Sequence, residues 1–215
     1  MAEPFLEPQS FWELERARAR LRAVPIGEAS SWAIDTPLRT VPSFGAYAQD
    51  GLGEYTVRAS IRTLWEITRT DRRYVSVRDN VSTSISISTE QTSSQDECEI
   101  ARWTMDIAAV DSAPGCGLHA QVKESPDWFP TGLDVPRLPL FIPTLGAVLE
   151  FVLGELFQTE WTRRVSAHTA AHGWRAIQRL AWDRWLNWQT EIVRTSAVSP
   201  WLDIKARRCN ELDEH

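Results

Sequence analysis

The sequence predicts an α+β fold in which an antiparallel meander sheet packs on C-terminal helices, with an N-terminal helix at the edge. Three observations lead to this prediction. Apolar residues recur with a helical period near the start and over the last third of the chain, and with a period of two between them. The period-two runs lie close together, which favours antiparallel pairing. Their alternation with polar residues is typical of a sheet with one buried face.

An N-terminal helix is predicted over residues 11–24. Ser10 and Glu13 have the spacing of a capping box, in which a serine and a glutamate three residues later bond exposed backbone N–H groups. Pro25 ends the helix because proline has no N–H to donate. Residues 26–53 contain several prolines and glycines, and we expect an irregular segment there.

The sheet is predicted from five runs with a period of two, at residues 55–67, 74–77, 81–89, 99–110 and 118–123. Asp79 and Asn80 have the composition of a tight turn and are predicted to lie as a turn between the second and third runs. In the third run serines alternate with Val81, Thr83, Ile85 and Ile87, so the two faces of the sheet should differ sharply in polarity.

The last hairpin has a register that keeps the apolar residues of both strands on one face. This register sets Gln121 opposite Asp106 and His119 opposite Ala108. A slip of one residue would move His119 to the other face. The register therefore determines which polar residues meet on the sheet.

Two helices are predicted after an extended, proline-rich crossing, over residues 145–161 and 169–196. The later helix has one apolar face made of Trp174, Ile177, Ala181, Trp185, Trp188 and Ile192. A second apolar shoulder consists of Trp182, Leu186 and Val193. Two interpretations stay open for this shoulder: burial within the helical layer, or contact with a protein partner.

Length and composition predict one α+β domain over residues 1–215. Hydrophobic residues make up 43% of the chain, enough for a core that needs neither a disulfide nor a structural metal. The predicted parts are the N-terminal helix and irregular segment at 1–53, the sheet at 54–123, the crossing at 124–143, the helical layer at 144–198 and a tail at 199–215.

Charge and cysteine usage predict a cytoplasmic protein. The net charge of −6 disfavours general nucleic-acid binding, although a local arginine-rich face leaves it open. Three widely spaced cysteines fit a reducing compartment, and no signal peptide or membrane span is predicted. Only Lys123 and Lys205 are lysines among 23 basic residues, which is typical of a GC-rich coding sequence, so a bacterial source is a hypothesis.

Several cations and one histidine share the predicted polar face of the sheet. Arginines around His119 have the chemistry to hold a phosphate or a carboxylate. The alternative is an ordinary solvated face, where arginines are expected in any sheet. The residues are Arg58, Arg62, Arg78, Arg102, Asp106, His119, Gln121 and Lys123.

Cys116 and His119 form a second candidate site at the last hairpin. A histidine three residues from an exposed thiol can activate it as a nucleophile, and Asp111 could orient the imidazole. The alternative is a plain turn in which the glycines flanking Cys116 supply positive φ angles. Catalytic cysteine and histidine usually come from separate parts of a fold, which favours the turn.

His168 and His172 lie four residues apart, so one helical face could present both to a metal. Two histidines near a helix start are more often surface or capping residues, and too few other histidines remain to complete a site. The sequence has no GxGxxG, GxxxxGK[ST] or GxSxG motif. We therefore predict no cofactor and no bound metal.

These patterns predict a non-enzymatic binding or accessory module that recognises a protein partner or an anionic ligand. One alternative is a small hydrolase or nuclease, in which His119 acts beside the arginines, with Asp106 or Cys116 assisting. Another is a structural subunit of a bacterial complex, for which a homo-oligomer is expected.

Overall fold

A computed structural model describes residues 1–43, 56–70, 75–77, 81–90, 97–107, 118–124 and 145–197. A short 3-10 turn at Glu3–Phe5 precedes the other elements. These are, in chain order, α1 (Pro8–Ala23), β1 (Ala29–Ala33), β2 (Leu38–Arg39), β3 (Thr56–Arg69), β4 (Val75–Val77), β5 (Val81–Glu90), β6 (Glu97–Ile107), β7 (Leu118–Glu124), α2 (Leu145–Ala167) and α3 (Ala171–Thr195).

The predicted α+β class is confirmed, and all strand pairs are antiparallel. The sheet runs in the order β1-β3-β5-β6-β7, and β2 and β4 also pair with β3. β3 is 14 residues long and carries β1 and β2 along one edge and β4 and β5 along the other. Within the described residues, no helix combines the length and apolarity needed to cross a membrane.

The prediction that Asp79 and Asn80 form a turn between two antiparallel strands is wrong. β4 and β5 both lie antiparallel to β3 along the same edge, so they run in the same direction and no hairpin joins them. Residues 78–80 themselves lie outside the described residues. A turn-like dipeptide fits an interruption of a strand as well as a hairpin, and only the long partner strand distinguishes the two.

One face of the sheet is buried against α2, as the alternation predicts. Val57, Ile61 and Ile67 on β3 and Ile85 on β5 are almost fully buried. They share one core cluster with a stripe on α2, and each such side chain contributes about 1.5–3 kcal/mol of transfer free energy. The stripe consists of Val148, Leu149, Val152, Leu153, Leu156 and Phe157.

The expectation of an irregular segment at 26–53 is wrong in part, because β1 and β2 lie within it. Both strands are too short to show a period, and their positions are set by the neighbours they contact. The indole Nε1 of Trp32 on β1 donates to the Ala17 carbonyl of α1 at 2.8 Å. The backbone N–H of Arg39 on β2 donates to Ser10 Oγ at 2.7 Å. Residues 44–53 lie outside the described residues, as does most of the predicted crossing.

The predicted capping box at Ser10 and Glu13 is also wrong. α1 starts at Pro8 after Glu7, and proline suits the first helical position because its missing N–H would have had no helical partner. Ser10 instead accepts the β2 hydrogen bond, and Glu13 turns inward. Both side chains serve contacts between α1 and the edge of the sheet rather than the start of the helix.

The buried side chain of Glu13 is the centre of a cluster of charged groups that fixes α1 on the sheet edge. Its carboxylate pairs with Arg20 at 2.9 Å and Arg16 at 3.5 Å, and accepts the backbone N–H of Asp35 at 3.2 Å. Arg20 also donates to the Ala33 carbonyl at the end of β1. Burial raises the pKa of Glu13, but the hydrogen bonds from Arg20 and Asp35 and the nearby arginine charges outweigh it, so its pKa lies below the ordinary value.

α2 contains a break at Gln158, whose φ of 36° and ψ of −105° are not helical. The Ser43 hydroxyl donates to the Leu156 carbonyl just before the break. α3 packs on the start of α2 through Trp174, whose Nε1 donates to Glu150 Oε2 at 3.1 Å. A Cβ built on Gly146 would lie 2.6 Å from the Trp174 ring, so this crossing requires glycine.

We expect Glu13→Gln to lower the free energy of unfolding by about 1–2 kcal/mol at pH 7, because it removes a buried carboxylate that pairs with Arg20 and accepts the Asp35 N–H. The folded pKa of Glu13 is below the unfolded one, so the carboxylate stabilises the protein above about pH 4.5 and loses this effect as the pH falls through the folded pKa. Urea unfolding should therefore show a difference between variant and wild type that narrows on acidification.

The matched control for this prediction is Glu15→Gln, which removes the exposed pair of Glu15 with Arg18. Its effect should stay within about 0.5 kcal/mol. Equal effects of the two variants at pH 7 would contradict the role of Glu13.

Two glycine substitutions should change the stability of the fold in opposite directions. Gly146→Ala should destabilise the fold by about 2 kcal/mol, because the new methyl group collides with the Trp174 ring. Gly173→Ala places a methyl group where no atom lies within 4 Å and should stabilise α3 by about 0.5 kcal/mol. Thermal unfolding of both variants tests the α2–α3 crossing, and a higher midpoint for Gly146→Ala would refute it.

Candidate functional site

The polar face of the sheet carries a row of serines flanked by arginines. β5 alternates its side chains across the sheet, so Ser84, Ser86 and Ser88 share the face opposite the core. Arg62 on β3 and Arg102 on β6 lie on either side of this row, and both are exposed. We call this surface the arginine–serine face.

The strand register brings residues from four strands into one line across the arginine–serine face. Arg39 of β2 pairs with Ser60 of β3, Ser60 pairs with Ser86 of β5, and Ser86 pairs with Arg102 of β6. Adjacent strands are about 4.8 Å apart, so two hydroxyl groups lie between two guanidinium groups. In the next line, Arg62 pairs with Ser84.

A cleft of about 600 Å³ covers this face. The start of α1 and the segment between β1 and β2 form its raised side, and the serines of β5 form its floor. The positive end of the α1 dipole borders the cleft and adds to its attraction for anions. The lining residues are Glu7, Gln9, Thr36, Pro37, Arg39, Ser60, Arg62, Ser84, Ser86, Ser88, Glu99 and Arg102.

A β-bulge places Glu99 in the cleft. The pairing of β5 with β6 shifts between Ile87 and Ser88, which leaves Ile100 as an extra residue on β6. Residues three apart on a regular strand face opposite sides, but the bulge returns Glu99 to the side of Arg102. Its Oε2 accepts a hydrogen bond from Arg102 Nη2, with 2.7 Å between the two atoms. A strict period of two places Glu99 on the apolar face, so the periodicity alone missed it.

The lining of the cleft contains three arginines, Arg39, Arg62 and Arg102, and two carboxylates, Glu7 and Glu99. Glu7 contacts Arg39 at 3.7 Å and also contacts Arg58 at 2.6 Å, while Glu99 contacts Arg102. Among the described residues, the exposed Arg62 has no carboxylate partner. Its guanidinium group can therefore bind an anionic ligand without first leaving a carboxylate.

The serine hydroxyl groups are available to a ligand. In the part of the chain that the structure describes, Ser84, Ser86 and Ser88 make no side-chain hydrogen bond. A hydroxyl group donates one hydrogen bond to an anionic oxygen, and a guanidinium group donates two in parallel. The arrangement is therefore suited to bind a phosphate or carboxylate group.

The predicted ligand-binding residues are only partly described. Arg58, Arg62 and Arg102 come together on the arginine–serine face, as the alternation indicates. Arg78 and Cys116 lie outside the described residues, so the predicted thiol–imidazole pair stays a prediction. Sequence reasoning missed Arg39, because its strand is two residues long, and treated the β5 serines only as evidence for a strand.

The predicted register of the last hairpin is wrong by two residues. His119, not Gln121, pairs with Asp106, and Gln121 pairs with Thr104. A shift of two residues keeps every side chain on the same face of the sheet, so the apolar pattern does not distinguish the two registers. In the same backbone register, Lys123 lies opposite Arg102.

The predicted partner shoulder of α3 is exposed. Trp182, Leu186, Val193 and the nearby Leu180 are each about half accessible to solvent. This favours a surface role over burial in the helical layer, and contact with a partner stays a prediction. The side chains of the other predicted face lie outside the described residues, except Trp174, which contacts α2.

His168 lies in the turn between α2 and α3. Its Nδ1 accepts a hydrogen bond from the backbone N–H of Ala170 at 3.1 Å, which stabilises this turn. Desolvation lowers the pKa of His168, and the positive charges of the amino terminus and Arg164 act in the same direction. His172 is exposed, and no group of three metal-ligating side chains occurs among the described residues.

No protein-family model matches the chain, and no curated protein or solved structure is significantly similar to it. No residue role is therefore transferred from another protein. A functional assignment depends on the geometry of the cleft and on the chemistry of its side chains.

Proposed function

We propose that this protein is a cytoplasmic, bacterial, non-enzymatic binding module that recognises an anionic ligand in the cleft on its arginine–serine face. One observation carries the proposal. Arg62 is exposed and lacks a carboxylate partner among the described residues, and it lies beside serine hydroxyl groups that make no hydrogen bond there. Together these groups offer hydrogen-bond donors for an anionic oxygen within one concave surface.

The proposed ligand carries a phosphate or carboxylate group. Arg62 supplies a parallel pair of N–H donors, and Ser84 and Ser86 supply O–H donors from the floor. Arg102 donates from the opposite side while Glu99 holds its guanidinium group in place. A volume of about 600 Å³ is within the usual range for small-molecule sites.

The two carboxylates in the cleft limit what it accepts. Glu7 and Glu99 repel a second negative charge near the ends of the cleft, so a compact anion is favoured over a long polyanion. The net charge of −6 acts in the same direction, because it repels nucleic acid as a whole. Binding should therefore depend on a local group of side chains and not on a basic surface.

We expect inorganic phosphate to bind in the cleft with a dissociation constant of about 1 mM, because the site is open to water and screened by salt. Arg62→Ala and Ser84→Ala should weaken binding by about tenfold and threefold, since each removes a donor. Chemical shifts of backbone amides in β3 and β5 measure this binding.

The matched control is Arg163→Ala, which removes the same charge from an exposed position of α2. It should leave the dissociation constant within twofold of the wild type. Equal weakening by Arg62→Ala and Arg163→Ala would show unspecific attraction, and an absence of saturable shifts would refute the site.

The pairing of Asp106 with His119 supports a second candidate function, a small hydrolase or nuclease. Directly opposed residues on antiparallel strands belong to the same face of the sheet, and a carboxylate beside an imidazole is a common arrangement for a general base. The arginine–serine face would then hold the anionic group of the substrate.

Hydrolysis of bis(4-nitrophenyl) phosphate tests the second candidate. His119→Ala and Asp106→Asn should each lower turnover by about a hundredfold or more if the pair acts as a general base. Undiminished turnover in His119→Ala would refute the catalytic role, and phosphate binding without any turnover would favour the binding module.

A further inference from the structure

A second concave surface lies on the apolar side of the sheet, away from the arginine–serine face. Its four tryptophans come from four different elements: Trp32 from β1, Trp65 from β3, Trp161 from α2 and Trp174 from α3. α1 supplies the remaining wall through Leu14 and Leu21, among others. The volume is about 520 Å³. We call it the tryptophan groove.

The groove follows from how α1 is placed. The Glu13 cluster and Ala17 occupy the face of α1 that contacts the sheet edge. Leu14 and Leu21, two turns apart on the helix, are left half-buried and border the groove. The apolar stripe of α1 is therefore only partly covered by the protein itself.

The opposite wall consists of two neighbouring strands of the sheet, β1 and β3, which carry aromatic side chains. Trp32 and Trp65 are register partners, and their ring centroids lie 5.4 Å apart with an interplanar angle of 56°. Trp161 is almost fully buried and packs edge-on against Phe5. These contacts hold the rings in place, so the groove is preformed rather than assembled by a ligand.

The hydrogen-bonding groups of the groove walls are mostly satisfied within the protein. The indole N–H of Trp32 bonds Ala17 O, that of Trp65 bonds Thr83 Oγ1 at 3.1 Å, and that of Trp174 bonds Glu150. The indole donors of these three tryptophans are therefore already used within the protein, and their rings present apolar faces to the groove. A polar ligand would lose its water here and gain few hydrogen bonds in return.

The charges at the mouth of the groove do not favour a charged ligand. Arg18 contacts both carboxylate oxygens of Glu15, at 3.3 and 3.4 Å, so these two charges compensate each other. Glu3, the remaining acidic residue of the lining, is exposed to solvent, and Met1, which carries the positively charged amino terminus, lines the same groove. An aromatic cage for a cation would instead place an uncompensated acidic group beside the rings.

The size of the groove fits a small molecule. The volume is in the range of small-molecule sites, which are mostly apolar and aromatic. We propose that the tryptophan groove binds a small, neutral, apolar molecule with a flat ring or a short hydrocarbon chain.

The neutral fluorophore N-phenyl-1-naphthylamine tests this proposal in the full-length protein. It should bind one molecule per chain with a dissociation constant of about 10 μM, detected by energy transfer from tryptophan to the bound probe. Leu14→Trp fills the groove and should weaken binding by about tenfold or more. Phosphate at saturating concentration should leave the probe bound, because the cleft lies on the other face of the sheet.

The matched control is Leu180→Trp, the same substitution at an exposed position of α3 that does not line the groove. It should keep the wild-type dissociation constant and stoichiometry. If circular dichroism shows that Leu14→Trp fails to fold, Leu21→Trp fills the other end of the α1 wall and replaces it.

Three outcomes would overturn the proposal. Failure of the wild type to bind the probe saturably would mean that the groove is only imperfect packing between helices. Equal loss in Leu14→Trp and Leu180→Trp, or several probes per chain, would mean adsorption to exposed apolar side chains. Tighter binding of a tetraalkylammonium ion than of the neutral probe would identify a cation site instead.

Discussion

The pairing of β3 with β5 is the constraint on which the rest of the structure depends. Nine consecutive residue pairs join the two strands, and both strands alternate apolar and polar side chains over that length. A slip of one residue would bury the serines of β5 and expose Ile85 and Ile87. Burial of the isoleucines therefore selects the register, and the register in turn lines up serines and arginines on the opposite face.

This division makes two chemically different surfaces from one sheet. On one side the strands, α2 and the tryptophans exclude water, and on the other hydroxyl and guanidinium groups keep contact with it. α1 borders both surfaces, since Glu7 and Gln9 reach the arginine–serine face while Leu14 and Leu21 reach the tryptophan groove. The buried Glu13 cluster holds α1 in this position and so affects the shape of both.

The electrostatics are local rather than global. The chain carries a net charge of −6, yet three arginines and only two carboxylates line the cleft on the arginine–serine face. At physiological salt, charges more than about 8 Å apart are largely screened, so a compact anion experiences the nearby arginines more than the whole protein. Glu7 and Glu99 orient these arginines, which reduces the entropy lost on binding but also reduces the net attraction.

The sequence by itself determined the α+β class, the face to which most strand residues belong, and the grouping of Arg58, Arg62 and Arg102, because side-chain alternation is a local property of the backbone. Only the tertiary structure decided the two-residue shift that pairs His119 with Asp106, the bulge that moves Glu99, and the roles of Ser10 and Glu13. Each of these depends on a partner distant in sequence, and periodicity carries no information about such partners. The tryptophan groove likewise depends on residues that are distant in sequence, since Trp32 and Trp174 are 142 positions apart. Its four rings come together only when α1, the sheet and both later helices have packed.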